Sequence, residues 1–330
     1  MRTLVRVSLI LALIAVVTVL AGFLYLREQY RSPGPLQAEK AVVIERGMSV
    51  AGIADLLRRE GIIESPRVFR LGLRYENIYH SLKAGEFAFP PRVSMQQAGA
   101  VIAFGKPVIR RLTIAEGLTT NQVLQAVRAA DGLTGDVSDG VAAEGALLPE
   151  TYFYSWGDSR MGLVNRMRTA MKETVMRLWP KRRPSIRLER PEDAVILASI
   201  IEKETGVDGE RARISSVFHN RLRLGMRLQS DPTVVYAIAG GEGALGRALT
   251  RADLAVDSPY NTYSAFGLPP GPIANPGVAS IEAALNPGDG DELYFVADGT
   301  GGHAFAKTLA SHNRNVARYR RFLRQQETGR

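Results

Sequence analysis

From Ala194 to Ile201 the chain is apolar at every position except Ser199, too continuous a pattern for a helix with one wet face. Helix signals frame it. Pro191 suits a first turn, Glu192 and Asp193 complement the positive end of the dipole, and Gly206 can close a left-handed cap. The pattern predicts a buried helix over 191–206 whose last turn carries Glu202, Lys203 and Glu204. At about 100° per residue, Glu202 shares a face with Val195, Ala198 and Ser199, while Glu204 lies about 200° further round, over Leu197, Ile200 and Ile201. The two acids cannot share one site. A carboxyl in that turn meets the negative end of the helix dipole and apolar neighbours, and both favour its protonated form. A general acid needs this near neutral pH, although a solvated helix end fits the same three letters.

A second apolar pattern runs through twenty uncharged residues, Val7 to Leu26, long enough to cross a bilayer core of about 30 Å. A cleaved signal peptide competes with this reading. Its apolar region would be shorter, about 7–15 residues, and would end at small residues, whereas this run closes on Phe23-Leu24-Tyr25-Leu26. An uncleaved anchor is therefore expected. Arginines flank both ends, so orientation rests on the short 1–6 head, which favours a cytoplasmic tail and an exported body. Ser32-Pro33-Gly34-Pro35 reads as a linker. Beyond it, Ala41 to Ile44 reads as a strand, and Ser49 and Ser65-Pro66 open helices with Ile53, Ala54 and Leu57 on one face. A strand near Glu86 to Phe89 closes a βααβ unit. The same strand-turn-cap-helix phrase returns with Ser94 and with Thr119 or Thr120 as caps.

The expected fold class is α+β. Its parts are a tail (1–6), a transmembrane helix (7–26), a linker (27–40), the βααβ subdomain (41–111), a connecting region (112–190) and a mixed α+β catalytic domain (191–330). Over 330 residues the net charge is +9, which fits nucleic acid, a membrane surface or an anionic polymer. Export argues against nucleic acid. Without cysteine, disulfides, thiolate metal sites and a lipoprotein anchor are excluded. His303 and His312 are too isolated to read as metal ligands, so neither metal nor cofactor is expected.

Two loops carry further chemistry. Gln229-Ser230-Asp231-Pro232-Thr233 reads as a helix start with Asp231 as N-cap, and a capping role competes there with a role in binding. Ser258-Pro259-Tyr260-Asn261-Thr262-Tyr263 leads into Gly267–Gly277, whose proline and glycine density predicts a long ordered loop. Its tyrosines, asparagines and backbone amides are groups suited to an acetamido sugar.

The βααβ unit loosely resembles a LysM module, a small binder of N-acetylglucosamine polymers, though a purely structural spacer fits as well. Seven blocks from Leu197 onward resemble the YceG-like family. They are Leu197-Ala198-Ser199-Ile200-Ile201-Glu202-Lys203-Glu204-Thr205, Val217-Phe218-His219-Asn220-Arg221-Leu222, Met226 to Val234, Tyr260-Asn261-Thr262-Tyr263, Gly267 to Ile273, Leu293 to Ala297 and Gly302-His303-Ala304-Phe305. His219 departs from an expected apolar residue and Ser230 from an expected Thr. The resemblance implies a single-pass inner-membrane protein with its body in the periplasm, cutting peptidoglycan strands internally to leave 1,6-anhydro-N-acetylmuramyl ends. It implies Glu202 as the catalytic acid; Ser199, Glu204, Asn220, Gln229, Asp231, Tyr260, Asn261 and Tyr263 are the residues expected to bind substrate. Partners of such an enzyme would be glycan strands, the membrane and peptidoglycan synthases of the penicillin-binding class. A non-catalytic wall-binding scaffold and a hydrolytic muramidase are the competing readings.

Overall fold

The computed structural model describes residues 2–328. Met1, at the head of the expected tail, and residues 329–330, at the end of the expected catalytic domain, lie outside them. The chain forms two compact units: one runs to Arg110 and takes back Phe153–Asp158, the other comprises Arg111–Tyr152 and the chain from Ser159 onward.

The first unit begins with α1 (Arg2–Arg31), the one helix among the described residues long and apolar enough to cross a membrane. β1 (Lys40–Ile44), α2 (Val50–Arg59), α3 (Pro66–Tyr75) and β2 (Gly85–Phe89) follow, with β1 and β2 antiparallel and Val42 opposite Phe87. This is the βααβ order read from the sequence. α4 (Met95–Phe104) completes the unit. Ala54, Leu57, Phe69, Leu73, Phe89 and Ile102 are fully buried in its core. The caps stand where hydroxyls punctuate the pattern: Ser49 accepts the Gly52 N–H at 3.1 Å, and Ser94 forms a reciprocal capping box with Gln97.

The linker is less free than its composition predicts. Tyr30 is buried at the foot of α1 and donates to Glu76 at 3.2 Å, over a Gly72 whose missing Cβ makes room for the ring. Gly34 lies so close to the Val93 carbonyl that a Cβ would clash at 2.3 Å, and Leu36 is buried. Here glycine serves close packing.

β3 (Ile109–Thr113) and β4 (Thr151–Ser155) occur where the chain passes between units. The second unit holds α5 (Thr120–Ala129), α6 (Arg160–Leu178), α7 (Pro191–Glu204), α8 (Arg211–Arg223), α9 (Asp231–Ala239) and α10 (Val278–Leu285). It ends in the antiparallel pair β5 (Tyr294–Ala297) and β6 (His303–Ala306), then α11 (Leu309–Thr328). α7 is its axle. Every residue from Ala194 to Ile201 is buried, because α6, α8, α9 and α10 all pack against the helix. Asp193 caps its start by accepting the Arg190 and Glu189 N–H groups at 3.0 Å. Its end differs from expectation. Thr205 turns extended and binds the Val207 N–H through its hydroxyl at 2.9 Å, so Gly206 has no left-handed cap to make.

The Pro/Gly-rich loop is fastened internally. Asn275, fully buried, accepts the Leu147 N–H at 2.9 Å and donates to the Leu118 carbonyl at 3.0 Å and the Thr120 hydroxyl at 3.2 Å. Asn275→Ala should therefore lower stability by about 1–3 kcal/mol for each buried group left without a partner. Chemical denaturation would show the loss; an unchanged midpoint would contradict the fastening role.

Candidate functional site

α7 delivers its two carboxyls to different places. Glu202 turns into the protein: its side chain is only 5% exposed, Oε2 accepts the Gly277 N–H at 2.9 Å, and Oε1 lies 3.5 Å from the Arg211 guanidinium. Gly277 is the N-cap of α10, so this carboxyl serves the positive end of that helix. Arg211 is itself buried and reaches the Ser280 hydroxyl at 3.2 Å and Glu116 at 3.6 Å. The expectation that Glu202 faces a glycan cleft is thus corrected: its face of α7 is occupied by α10 and Arg211.

Glu204 emerges on the other side, into a cleft of about 440 Å³ shared with Gln229, Asp231, Tyr263, Arg221 and His303. Its Oε1 accepts from the Ser230 hydroxyl at 2.5 Å. Burial pushes its pKa up to about 7; the Ser230 hydrogen bond opposes that rise, Asp231 adds to it, and His303 and Arg221 oppose it more weakly. Desolvation wins because α7 brings the group to the cleft through apolar packing. Ser230, read as a departure from a family threonine, keeps the hydroxyl that Glu204 uses.

The cleft's other polar groups come from the loops. Gln229 takes a left-handed backbone, φ +49°, held by its own N–H to the Thr262 carbonyl at 3.1 Å. That turn stands Gln229 at the cleft and buries Ser230 beside Thr262 and Thr233. Ser230, not Asp231, occupies the N-cap position of α9. Asp231 begins the helix and instead accepts from the Tyr263 hydroxyl at 2.5 Å. Burial, then this carboxylate, hold the Tyr263 proton in place far above the ordinary phenol range.

Four other residues expected to touch substrate lie elsewhere. Ser199 is fully buried, donating to the Ile196 carbonyl at 2.7 Å and accepting the Ile273 N–H at 3.0 Å. Asn220 binds the carbonyls of Gly290 and Glu292 in a different surface hollow. Asn261 is fully buried, donating to the Leu254 and Val256 carbonyls and accepting the Tyr263 N–H. Tyr260 packs on Tyr236, ring centroids 4.9 Å apart. These are corrections: the short polar side chains of Ser199, Asn220 and Asn261 are taken up by backbone groups, and the Tyr260 ring by aromatic packing.

Arg221, His303 and Tyr294 are cleft residues that the pattern did not single out for binding. Arg221 is buried, its guanidinium held by the Leu293 carbonyl at 2.7 Å and the Leu228 carbonyl at 2.6 Å. His303 sits at the start of β6 with Nδ1 2.6 Å from Glu210, whose other oxygen accepts the His303 N–H at 2.9 Å. The block Gly302-His303-Ala304-Phe305 carries a sequence signal for His303, although an isolated histidine more often serves a turn. Tyr294 stacks on His312 with centroids 5.2 Å apart.

Comparison with known proteins supplies the lineage. A protein of Bacillus subtilis (strain 168) named endolytic murein transglycosylase is 33% identical over 311 residues, covering 84% of this chain and 83% of the relative. A Streptococcus pneumoniae (strain R6) protein of the same name is 31% identical over 325 residues; the match covers 84% of this chain and 58% of that longer one. A crystal structure of a YceG-like protein from Listeria monocytogenes aligns with TM-score 0.50 at 33% identity, over 84% of this chain and 99% of that one. The YceG-like family model spans residues 42–318, from β1 of the first unit through the cleft and into α11, and the chain belongs to that family.

Proposed function

We propose that this chain is a membrane-anchored endolytic lytic transglycosylase of peptidoglycan, with Glu204 as its acid and base. The observation that carries the reading is the placement of Glu204: a desolvated carboxyl, protonated up to about pH 7, in a cleft with Gln229, Asp231 and Tyr263. The names of its relatives supply the substrate class.

The chemistry follows from one proton. Glu204 gives it to the glycosidic oxygen as the bond to the muramyl C1 breaks. The resulting carboxylate takes the proton of the same sugar's C6 hydroxyl, and O6 closes on C1 to leave a 1,6-anhydro end. No water is consumed, and no second carboxyl is needed as nucleophile or base. The positive charge that develops at C1 is shared by the substrate's acetamido group and faces Asp231, fixed by Tyr263. In this reading α1 is the inner-membrane anchor, the second unit works in the periplasm, and the βααβ unit grips or spaces the glycan near the synthases that make it.

Glu204→Gln keeps the shape and the Ser230 contact but removes the transferable proton, so cleavage of purified glycan strands should fall by about 10²–10⁴-fold. Glu202→Gln should instead lower stability by about 1–3 kcal/mol while the folded protein still cuts. Mass spectrometry of the new ends discriminates the classes: anhydro ends support the proposal, reducing ends would show a hydrolase, and uncut strands a scaffold. Activity kept in Glu204→Gln and lost in folded Glu202→Gln would overturn the assignment.

The raised pKa also has a thermodynamic sign. A carboxyl whose folded pKa exceeds its unfolded one binds more protons in the native state between the two values, so stability falls as pH climbs through that window. Glu204→Gln removes this penalty. It should melt above the parent at pH 8, with the gap closing at pH 5; an equal gap at both values would show that the carboxyl is not titrating there.

A further inference from the structure

We propose that α3, with the last turns of α1, is a seat for phospholipid headgroups that holds the first unit flat on the bilayer; this rests on the reading of α1 as a membrane span. The argument is one of depth. Phe23 lies three residues inside the end of the apolar run at Leu26, about 4–5 Å below it at 1.5 Å per residue. Yet the Phe23 ring meets Tyr75, at the end of α3, edge to face with centroids 5.8 Å apart. If the run fills the hydrocarbon core, Tyr75 stands at the boundary between acyl chains and headgroups, where tyrosine rings gather.

The outward face of α3 fits that depth. Arg67, Leu71, Arg74 and Tyr75 fall within about 100° of one another around the helix and are all exposed, Leu71 at 53% and Tyr75 at 69%. The opposite face, with Phe69 and Leu73, is buried in the core. Between α1 and α3 lies an apolar groove of about 200 Å³ whose lining includes Phe23, Leu26, Leu71 and Tyr75, with Arg27, Arg31 and Glu76 as its charged groups, Glu76 being engaged by the Tyr30 hydroxyl. Apolar walls beside two arginines match a lipid, with its chain against the walls and its phosphate at the guanidiniums. Four exposed cations, Arg27, Arg31, Arg67 and Arg74, favour anionic headgroups.

Rigidity makes the seat effective. Tyr30 wedged over Gly72 and bonded to Glu76 couples α1 to α3, and Gly34 against Val93 leaves no slack beyond it. The first unit cannot swing freely on a tether.

The natural absence of cysteine makes the test direct. Full-length protein carrying one spin label, at V16C, L71C, Y75C or E45C, is reconstituted into vesicles of phosphatidylcholine and phosphatidylglycerol, and collisions with oxygen and with a nickel chelate are compared. The expected result is V16C deep in the bilayer, L71C and Y75C at interfacial depth with a several-fold higher oxygen-to-nickel ratio than E45C, and E45C in water. Labels at 71 and 75 as open to nickel as that at 45, with V16C buried, would overturn the proposal while sparing the anchor. An aqueous V16C would overturn the anchor and the proposal together. Protection at 71 that persists in lipid-free micelles, with spin–spin broadening, would show a second copy on this face and overturn it too.

Discussion

A helix buried around its whole circumference can bring a polar group to a site only at its end, and the second unit is arranged around that constraint. α6, α8, α9 and α10 strip water from α7 until its last turn. There, 200° of helix rotation separates two carboxyls that are two residues apart. One is spent on structure, bridging the N-terminus of α10 and Arg211. The other keeps a proton because nothing compensates its desolvation fully. The apolar packing that stabilises the unit therefore also sets the acidity of Glu204.

The loops complete the site by an opposite logic. Ser230, Thr233 and Thr262 form a buried hydroxyl cluster behind Gln229, and the left-handed turn at Gln229 exists because that cluster fixes its neighbours. Asn261 and Asn275 are consumed in fastening the backbone, and the cleft is lined by side chains from several other elements. Gln229, Asp231, Tyr263 and His303 reach it from a turn, a helix start, a loop and a strand.

Much of this was legible in the sequence. The buried rod, the cap hydroxyls Ser49 and Ser94, the βααβ order and the separation of the two acids all follow from periodicity and local hydrogen bonding, which are properties of neighbouring residues. The choice between Glu202 and Glu204 was not. It depends on which side of α7 receives α10 and Arg211, a fact about packing that the helical wheel leaves open. A similar limit explains Ser199, Asn220, Tyr260 and Asn261, whose residue types suit sugar binding but whose side chains are taken up by backbone carbonyls and amides or, for Tyr260, by the Tyr236 ring. A lone arginine or histidine carries no period, so the sequence pattern does not place Arg221 or His303 in the cleft.

The account turns on one proton, and its most direct test is to titrate the Glu204 carboxyl itself. In protein labelled with ¹³C at glutamate side chains, the resonance lost in Glu204→Gln identifies the group, and its shift is followed with pH. A midpoint near 7 is the result this account predicts. A midpoint near the ordinary glutamate value of about 4.3 would contradict it, since a carboxylate ionised throughout the neutral range has no proton to give.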